Sequence, residues 1–277
     1  MFVFAILYGM KKKYLSELYI YPVKSCKGMS LRRVNVGPKG PAMDRRWMVV
    51  DKDGCFLSQR TLPKMALIYA NLDDHYLFLS APSLMPLMIP HLPVGTPRKV
   101  VVWDDTCLAH DMGDDAADWV SEFLEVEARL VFLPEESIRS VSNKYAASDS
   151  DQLGFADGFP FMLISDSSLH DLNQRVGVNL RMNRFRPNLV LSNCDPYEED
   201  LWKKIRIGEI VFHFVKPCSR CIITTINQER AEAGSEPLTT LASFRTEDSG
   251  ILFGQNLVHE GSGSLEVGAE VEILEYR

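Results

Sequence analysis

The tetrapeptide CSRC at residues 218–221 carries two thiols three positions apart, and few uses of that spacing fit its surroundings. A dithiol redox pair has its first cysteine at a helix N-terminus, where the helix dipole lowers the thiol pKa. The β-branched run at 222–226 instead predicts a strand. A structural zinc site takes four nitrogen or sulfur ligands, and no second C-x-x-C or H-x-x-x-H accompanies this one. The interpretation that fits this segment best is a metal site. One soft thiolate beside Arg220 would be the single protein ligand, and an organic cofactor would supply the other ligands.

A second polar segment, YPVKSCKG at residues 21–28, ends an apolar strand with two lysines, a serine and a glycine. A turn of this composition offers backbone N–H groups and ammonium charge to a phosphate group. The alternative interpretation is a solvated basic hairpin, because lysine is common where a strand meets solvent. The segment alone therefore permits a phosphate site without requiring one.

The segment DRRW at residues 44–47 places two guanidinium groups at the start of a predicted strand. A guanidinium fork suits phosphate and other planar oxyanions because it donates two parallel hydrogen bonds. An ion pair between Asp44 and its arginine neighbours is the alternative interpretation, and it would need no ligand.

The segment NRFRPN at residues 183–188 concentrates polar groups ahead of an apolar run. The proline at its fifth position predicts an extended preceding residue. Strand alternation would then place Arg184, Arg186 and Asn188 on one face. Three polar groups so arranged are unusual for a plain core strand, and they favour a binding site.

The elements that must position these residues are mostly short strands, separated by turn signals. Two helices are also predicted, an amphipathic one from Asp114 and one from a cap at Ser165 or Asp166 to about Val176. This is the rhythm of a β-barrel or sandwich with few helices. We predict strands at 15–23, 31–36, 46–50, 66–71, 76–80, 99–103, 188–192, 210–215, 221–226, 251–259 and 270–274.

Composition limits the class of protein. With 277 residues, 46% of them hydrophobic, the chain can fill one large core or two ordinary ones. The 30 Lys and Arg residues against 37 Asp and Glu give a net charge of −7, which argues against a nucleic-acid partner. Six cysteines without a cleavable signal segment indicate a reducing compartment, and we predict a cytoplasmic location.

The chain begins with the apolar stretch MFVFAILYGM, followed by three lysines. This stretch is shorter than the about 20 residues that a transmembrane helix needs. Its charges follow the apolar run, which is the reverse of a secretory signal. We therefore predict that residues 1–13 are a non-native or disordered extension and that the protein has no stable membrane insertion.

The polar segments together resemble a known family. The strings YPVKSCKG, DRRW, FLSQR, NRFRPNLVLS, CSRCIITTIN and FGQN follow one another in a match that runs from about residue 16 to residue 274. In this combination the chain resembles the MOSC proteins, and within them the amidoxime-reducing components and their bacterial N-hydroxylaminopurine-detoxifying relatives. The resemblance implies an α+β, mainly β fold. A MOSC N-terminal β-barrel-like domain at 14–135 would precede a MOSC β-barrel domain with a few helices at 136–277, and Mo-molybdopterin would lie between them.

The resemblance also implies roles for individual residues. The metal ligand and catalytic thiolate would be Cys221 rather than Cys218, with Asp157 as a catalytic acidic residue near the metal. The relatives tend to carry small hydroxyl residues where this chain has Gly158-Phe159, and an Asp-Pro pair where it has Asn227-Gln228. The cofactor-binding residues would be Lys24, Ser25 and Arg45 at the phosphate, Arg186 and Asn188 at the pterin edges, and Arg220.

The implied function is a molybdenum-dependent reduction of N-hydroxylated substrates, namely amidoximes, hydroxylamines or N-hydroxylated bases. Neither the C-x₄-C-x₂-C spacing of a plant-type iron–sulfur site nor a G-x-G-x-x-G fingerprint occurs in the sequence. We therefore expect a separate iron–sulfur or flavin reductase partner to deliver electrons, and we do not expect pyridoxal phosphate. The alternative is a non-catalytic carrier of molybdenum cofactor or sulfur, with Cys221 as a persulfide site.

Overall fold

The computed structural model describes residues 11–92, 95–148 and 150–277. The first half contains β1 (Lys13–Ile20), β2 (Met29–Leu31), β3 (Arg33–Gly37), β4 (Gly40–Pro41), β5 (Trp47–Val50), β6 (Tyr69–Leu72), β7 (Tyr76–Ser80), β8 (Leu87–Pro90), β9 (Pro97–Val102), β10 (Asp105–Asp111), α1 (Asp114–Leu124) and β11 (Arg129–Phe132). The second half contains β12 (Phe161–Ser165), α2 (Asp166–Val176), β13 (Leu189–Ser192), β14 (Trp202–Ile207), β15 (Ile210–Ser219), α3 (Leu238–Ala242), β16 (Thr246–Glu247), β17 (Gly250–Glu260), β18 (Gly263–Glu266) and β19 (Glu270–Tyr276).

Seven strands form a closed barrel in the order β12-β13-β1-β19-β14-β15-β17, and pairing of β17 with β12 closes the ring. Neighbouring strands are antiparallel except β12 and β13. Strand alternation fills the barrel: in β15, Ile210, Phe212 and Phe214 are buried and join its core. Because the sheet closes on itself, these seven strands form a rigid ring whose ends can carry loops.

Three smaller sheets are built mainly by the first half of the chain, in the orders β5-β11-β10-β9, β6-β7-β8 and β18-β3-β4. Their main core contains the fully buried Trp47, Met65 and Leu130, and α1 packs onto it through Trp119 and Val120. The two halves of the chain also exchange strands, since β1 belongs to the barrel and β18 pairs with β3. The barrel and the smaller sheets are therefore built from interleaved parts of the chain.

The fold class predicted from the sequence, α+β and mainly β, is confirmed, with three α-helices among the described residues. The helix predicted from Asp114 is α1, and the Ser165 hydroxyl caps α2 by accepting the Ser168 N–H at 3.2 Å. None of the helices in the described ranges is long and apolar enough to cross a membrane.

The predicted extension at residues 1–13 is described only from residue 11. Its first ten residues lie outside the described ranges. Lys13 is the first residue of β1, and its Nζ lies 3.0 Å from Glu198 Oε1. This last residue of the predicted extension therefore belongs to the barrel.

The strand predicted at 221–226 is wrong. Residues Ile222–Thr225 form a 3-10 turn instead. The Thr224 hydroxyl donates to the Cys221 carbonyl at 3.0 Å, and the Thr225 hydroxyl donates to the Ile222 carbonyl at 2.8 Å. These local side-chain bonds to carbonyls three residues earlier stabilise the turn, and they outweigh the strand preference of β-branched residues.

Candidate functional site

A cavity of about 480 Å³ is lined by residues from the barrel and from the smaller sheets. This size lies in the usual range for a small-molecule or cofactor site. Every site residue that the sequence predicted lines this cavity: Lys24, Ser25, Arg45, Asp157, Arg186, Asn188, Arg220 and Cys221. The fold thus brings together residues that are up to 197 positions apart in the sequence, the distance between Lys24 and Cys221.

The charge of the cavity is opposite to that of the whole chain. Among the described residues, its wall holds one carboxylate, Asp157, against seven cationic side chains, whereas the full sequence has a net charge of −7. Such a wall attracts an anion, and the Asn188 amide with two nearby thiols adds donors for a heterocycle and a soft metal. The residues present therefore fit a phosphorylated, metal-carrying pterin. The seven cations are Lys24, Arg45, Arg60, Arg184, Arg186, Lys216 and Arg220.

Lys24 is held in an ion pair at the cavity wall. Its Nζ donates to the Phe155 carbonyl at 2.8 Å and to the Asp157 carboxylate. Burial lowers the pKa of Lys24 from its usual value. Burial would raise the pKa of Asp157, but the Lys24 ammonium outweighs it, with the Trp103 indole N–H at 3.0 Å adding support. The pKa of Asp157 therefore lies below its usual range, and this group is a carboxylate at neutral pH.

Arg45 and Arg186 lie on the Tyr21 ring, each with its guanidinium carbon 4.2 Å from the ring centroid. Burial of the Arg186 guanidinium lowers its pKa to about 10. Asp44 forms an ion pair with Arg45 at 2.6 Å, as one of the two interpretations of the sequence proposed, although the pair is buried rather than on the surface. The Tyr21 ring is 1% exposed, and its hydroxyl donates to the Pro187 carbonyl at 3.0 Å. The aromatic ring therefore fixes the position of both cations.

Three predicted site residues have backbones in the left-handed region: Ser25 with φ of 64°, Arg45 with 48° and Arg186 with 57°. Side chains other than glycine adopt this region at a cost, and such residues concentrate at functional sites. The extended conformation predicted for Arg186 from the following Pro187 is therefore wrong. Its Nη1 donates to the Cys26 carbonyl at 2.6 Å, and this contact with the Tyr21 stacking outweighs the local preference.

Arg184, Arg186 and Asn188 do not form one face of a strand, although all three reach the cavity. Arg184 ends a 3-10 turn, and its Nη1 donates to the Thr225 carbonyl at 2.9 Å. Asn188 is 1% exposed, and its Oδ1 accepts from Arg45 at 3.1 Å while its Nδ2 donates to the Tyr19 carbonyl at 3.2 Å. The amide orientation of Asn188 is thereby fixed by its partners.

The Arg220 guanidinium donates mainly to backbone carbonyls in this structure. Its Nε donates to the Phe253 carbonyl at 2.7 Å and its Nη1 to the Phe185 carbonyl at 2.9 Å. These bonds tie the segment before Cys221 to β17 and to the loop before β13. Arg220 therefore shapes the wall beside the thiol, and its predicted contact with cofactor stays a prediction.

The two thiols of CSRC both line the cavity, and both are partly buried. Cys221 directly precedes the 3-10 turn, and its backbone is extended, with φ of −119°. Cys218 lies near the end of β15, and burial raises its pKa above the usual value of a thiol. Both side chains thus lie near the cationic groups, and they belong to different secondary-structure elements.

Sequence reasoning missed several residues of the cavity wall. Arg60 and Asn256 lie in the strings FLSQR and FGQN, so the resemblance could have pointed to them. Trp103 had no sequence signal, because it lies in the turn between β9 and β10, far from every motif. The guanidinium carbon of Arg60 lies 4.7 Å from the Trp103 ring centroid. Only the tertiary structure brings this hairpin to the site.

The loop after residue 150 packs closely against the backbone of the site at Gly154. An Ala at Gly154 would place its Cβ 2.7 Å from the Asp44 carbonyl oxygen and 2.8 Å from that of Arg45. Because backbone atoms cannot move away without moving Arg45, we expect Gly154→Ala to lower the free energy of unfolding by about 1–3 kcal/mol. Urea denaturation measures this loss. Gly158→Ala is the control, since its Cβ would meet nothing within 4 Å, and an equal loss in both variants would contradict the packing argument.

Comparison with known protein families identifies the family to which this two-part architecture belongs. The family described as MOSC N-terminal beta barrel domain matches residues 12–127, and the family described as MOSC domain matches residues 150–272. The chain therefore belongs to the MOSC family, as the six strings predicted. The predicted boundary between residues 135 and 136 lies between the two matched ranges and stays a prediction.

The curated relatives narrow the resemblance. The chain is 34% identical over 283 residues to mitochondrial amidoxime-reducing component 1 of Mus musculus, covering 94% of this chain and 82% of the relative. It is equally similar, with the same coverage, to the protein of that name from Homo sapiens. Mitochondrial amidoxime reducing component 2 of Rattus norvegicus is 34% identical over 280 residues, covering 93% of this chain and 82% of the relative.

Proposed function

We propose that this protein is a molybdenum-cofactor-binding oxidoreductase that reduces N-hydroxylated substrates, such as amidoximes, hydroxylamines and N-hydroxylated bases. The observation that carries the proposal is the presence of the Cys221 thiol and seven cationic side chains in one cavity. A phosphate group needs such cations, and a soft metal suits a thiolate. The names of the relatives, amidoxime-reducing components, support the substrate class.

The phosphate of the proposed cofactor would be held by Lys24, Ser25 and Arg45, which adjoin one another through the isolated pairing of Val23 with Trp47. Arg186 and Asn188 would bind the polar edges of the pterin, because a planar guanidinium and an amide match its donors and acceptors. Cys221 would be the ligand to molybdenum. The stacking on Tyr21 and the buried bonds of Asn188 hold these groups in place before the cofactor arrives.

Asp157 would take part as an ionised acceptor. Its low pKa keeps it a carboxylate at neutral pH, so it accepts a hydrogen bond from the N–H or O–H of a substrate and does not donate a proton. Bound molybdenum cofactor would supply the two-electron chemistry that breaks the N–O bond, with two protons consumed and water released. The role of this chain is to orient the N–OH group between the cofactor and the carboxylate.

The two electrons would come from a separate iron–sulfur or flavin reductase.

The exposed part of the cavity wall, where Trp103 is 47% exposed, leaves a route for substrate. The relatives are named mitochondrial, whereas the cytoplasmic location predicted from this sequence stays a prediction.

Direct turnover tests the proposal. Purified protein loaded with Mo-molybdopterin should reduce benzamidoxime or 6-N-hydroxylaminopurine when reduced viologen supplies electrons, and the amidine or purine product is measured by chromatography. NADH alone should give no product, because the sequence has no nicotinamide fingerprint. Cofactor-free protein is the control. If loaded protein reduces nothing with any donor yet passes its cofactor to an apo-molybdoenzyme, the function is that of a carrier of molybdenum cofactor or sulfur.

A further inference from the structure

Two buried glutamines connect the halves of the proposed cofactor site. Gln59 is 0% exposed and Gln228 is 3% exposed. Gln59 Nε2 donates to Gln228 Oε1 at 3.2 Å, and Gln228 Nε2 donates to Gln59 Oε1 at 2.9 Å. The two amides therefore face each other as a reciprocal pair, 169 positions apart in the sequence.

The remaining N–H of each amide bonds to a backbone carbonyl. Gln59 Nε2 donates to the Ser25 carbonyl at 2.7 Å, and Gln228 Nε2 donates to the Ile226 carbonyl at 3.2 Å. A carbonyl can only accept, so these two bonds fix the orientation of both amides. Every amide N–H of the pair has a partner, as buried polar groups require.

The pair thus connects two segments that carry site residues. Ser25, in the left-handed region, belongs to the turn proposed to hold phosphate, while Ile226 follows the 3-10 turn that starts after Cys221. We infer that the Gln59–Gln228 pair is a positioning element that couples the phosphate-binding turn to the Cys221 loop and slows the release of cofactor.

Methionine variants isolate this coupling, because methionine has nearly the shape of glutamine and lacks its hydrogen bonds. In cofactor-free protein, Gln59→Met should speed amide hydrogen exchange in residues 222–228 about tenfold, and Gln228→Met should do the same in residues 24–28. Gln255→Met is the matched control: Gln255 is 0% exposed and bonds Asp200 at 2.6 Å, outside the cavity wall. It should lower stability while exchange in both segments stays as in the wild type.

The double variant separates positioning from packing. When both partners become apolar, stability recovers in part because no buried amide is left unpaired. The Ser25 carbonyl still lacks its donor, so pterin release from loaded double variant should stay about tenfold faster than from wild type, measured by pterin fluorescence. The inference is overturned if Gln59→Met speeds exchange only in residues 24–28 and Gln228→Met only in residues 222–228, or if the double variant retains cofactor as the wild type does.

The release assay rests on the proposed function, but the exchange assay does not. A wild-type chain that binds no molybdopterin contradicts the proposed function, and the cross-effects on exchange still decide whether the pair couples the two segments.

Discussion

Replacing Cys221 by alanine should abolish the reduction of benzamidoxime by the loaded protein. Loss of an outer partner of a metal site typically costs about 10–100-fold, and loss of the protein ligand itself should cost more. The loss should appear in kcat, because a methyl group cannot replace thiolate donation to the metal. Initial rates with reduced viologen, normalised to molybdenum content, measure this effect.

Cys218→Ala is the control for this experiment, because Cys218 lines the same cavity and burial raises its pKa. We expect its rate to fall by less than about tenfold, since it is not the proposed ligand. An equal loss from both substitutions would contradict the assignment and indicate that the two thiols act as a redox pair.

Removing a cation from the proposed cofactor site, either Lys24 at the phosphate or Arg186 at the pterin edge, should release cofactor. Lys24→Ala and Arg186→Ala each delete a charge-assisted contact worth about 1.5–3 kcal/mol, which corresponds to about 10–150-fold weaker binding. Pterin content after gel filtration, together with equilibrium binding, measures the change. Arg45→Ala is less suitable because it would also leave the carboxylate of Asp44, itself 4% exposed, without its cation.

Arg206→Ala serves as the control for lost positive charge. Arg206 lies on the barrel surface in an exposed ion pair with Glu272, and it does not line the cavity. Its pterin content should equal that of the wild type. Full retention of cofactor by both Lys24→Ala and Arg186→Ala would show that neither the phosphate nor the pterin edge binds at this part of the cavity wall.

The sequence by itself determined the regular secondary structure of much of the fold, and it predicted residues that the structure brings into one cavity. The β-prone run at 210–215 predicted β15, and a cap at Ser165 or Asp166 predicted α2, because both depend on residues close in the chain. The polar strings singled out residues such as Lys24, Arg186 and Cys221, which meet in one cavity. Residue chemistry and the order of the strings were sufficient for this, since neither depends on the exact path of the loops.

Only the tertiary structure decided how those residues are held. The backbone of Arg186 turns left-handed despite the following proline, and the segment after Cys221 forms a 3-10 turn despite its β-branched residues. The stacking on Tyr21 and the Gln59–Gln228 pair were likewise absent from any local pattern. The physical reason is that buried donors and charges must find partners wherever the fold supplies them, and those partners come from distant parts of the chain. A preference of a few tenths of a kcal/mol at one residue is outweighed when about 1 kcal/mol or more depends on each buried hydrogen bond.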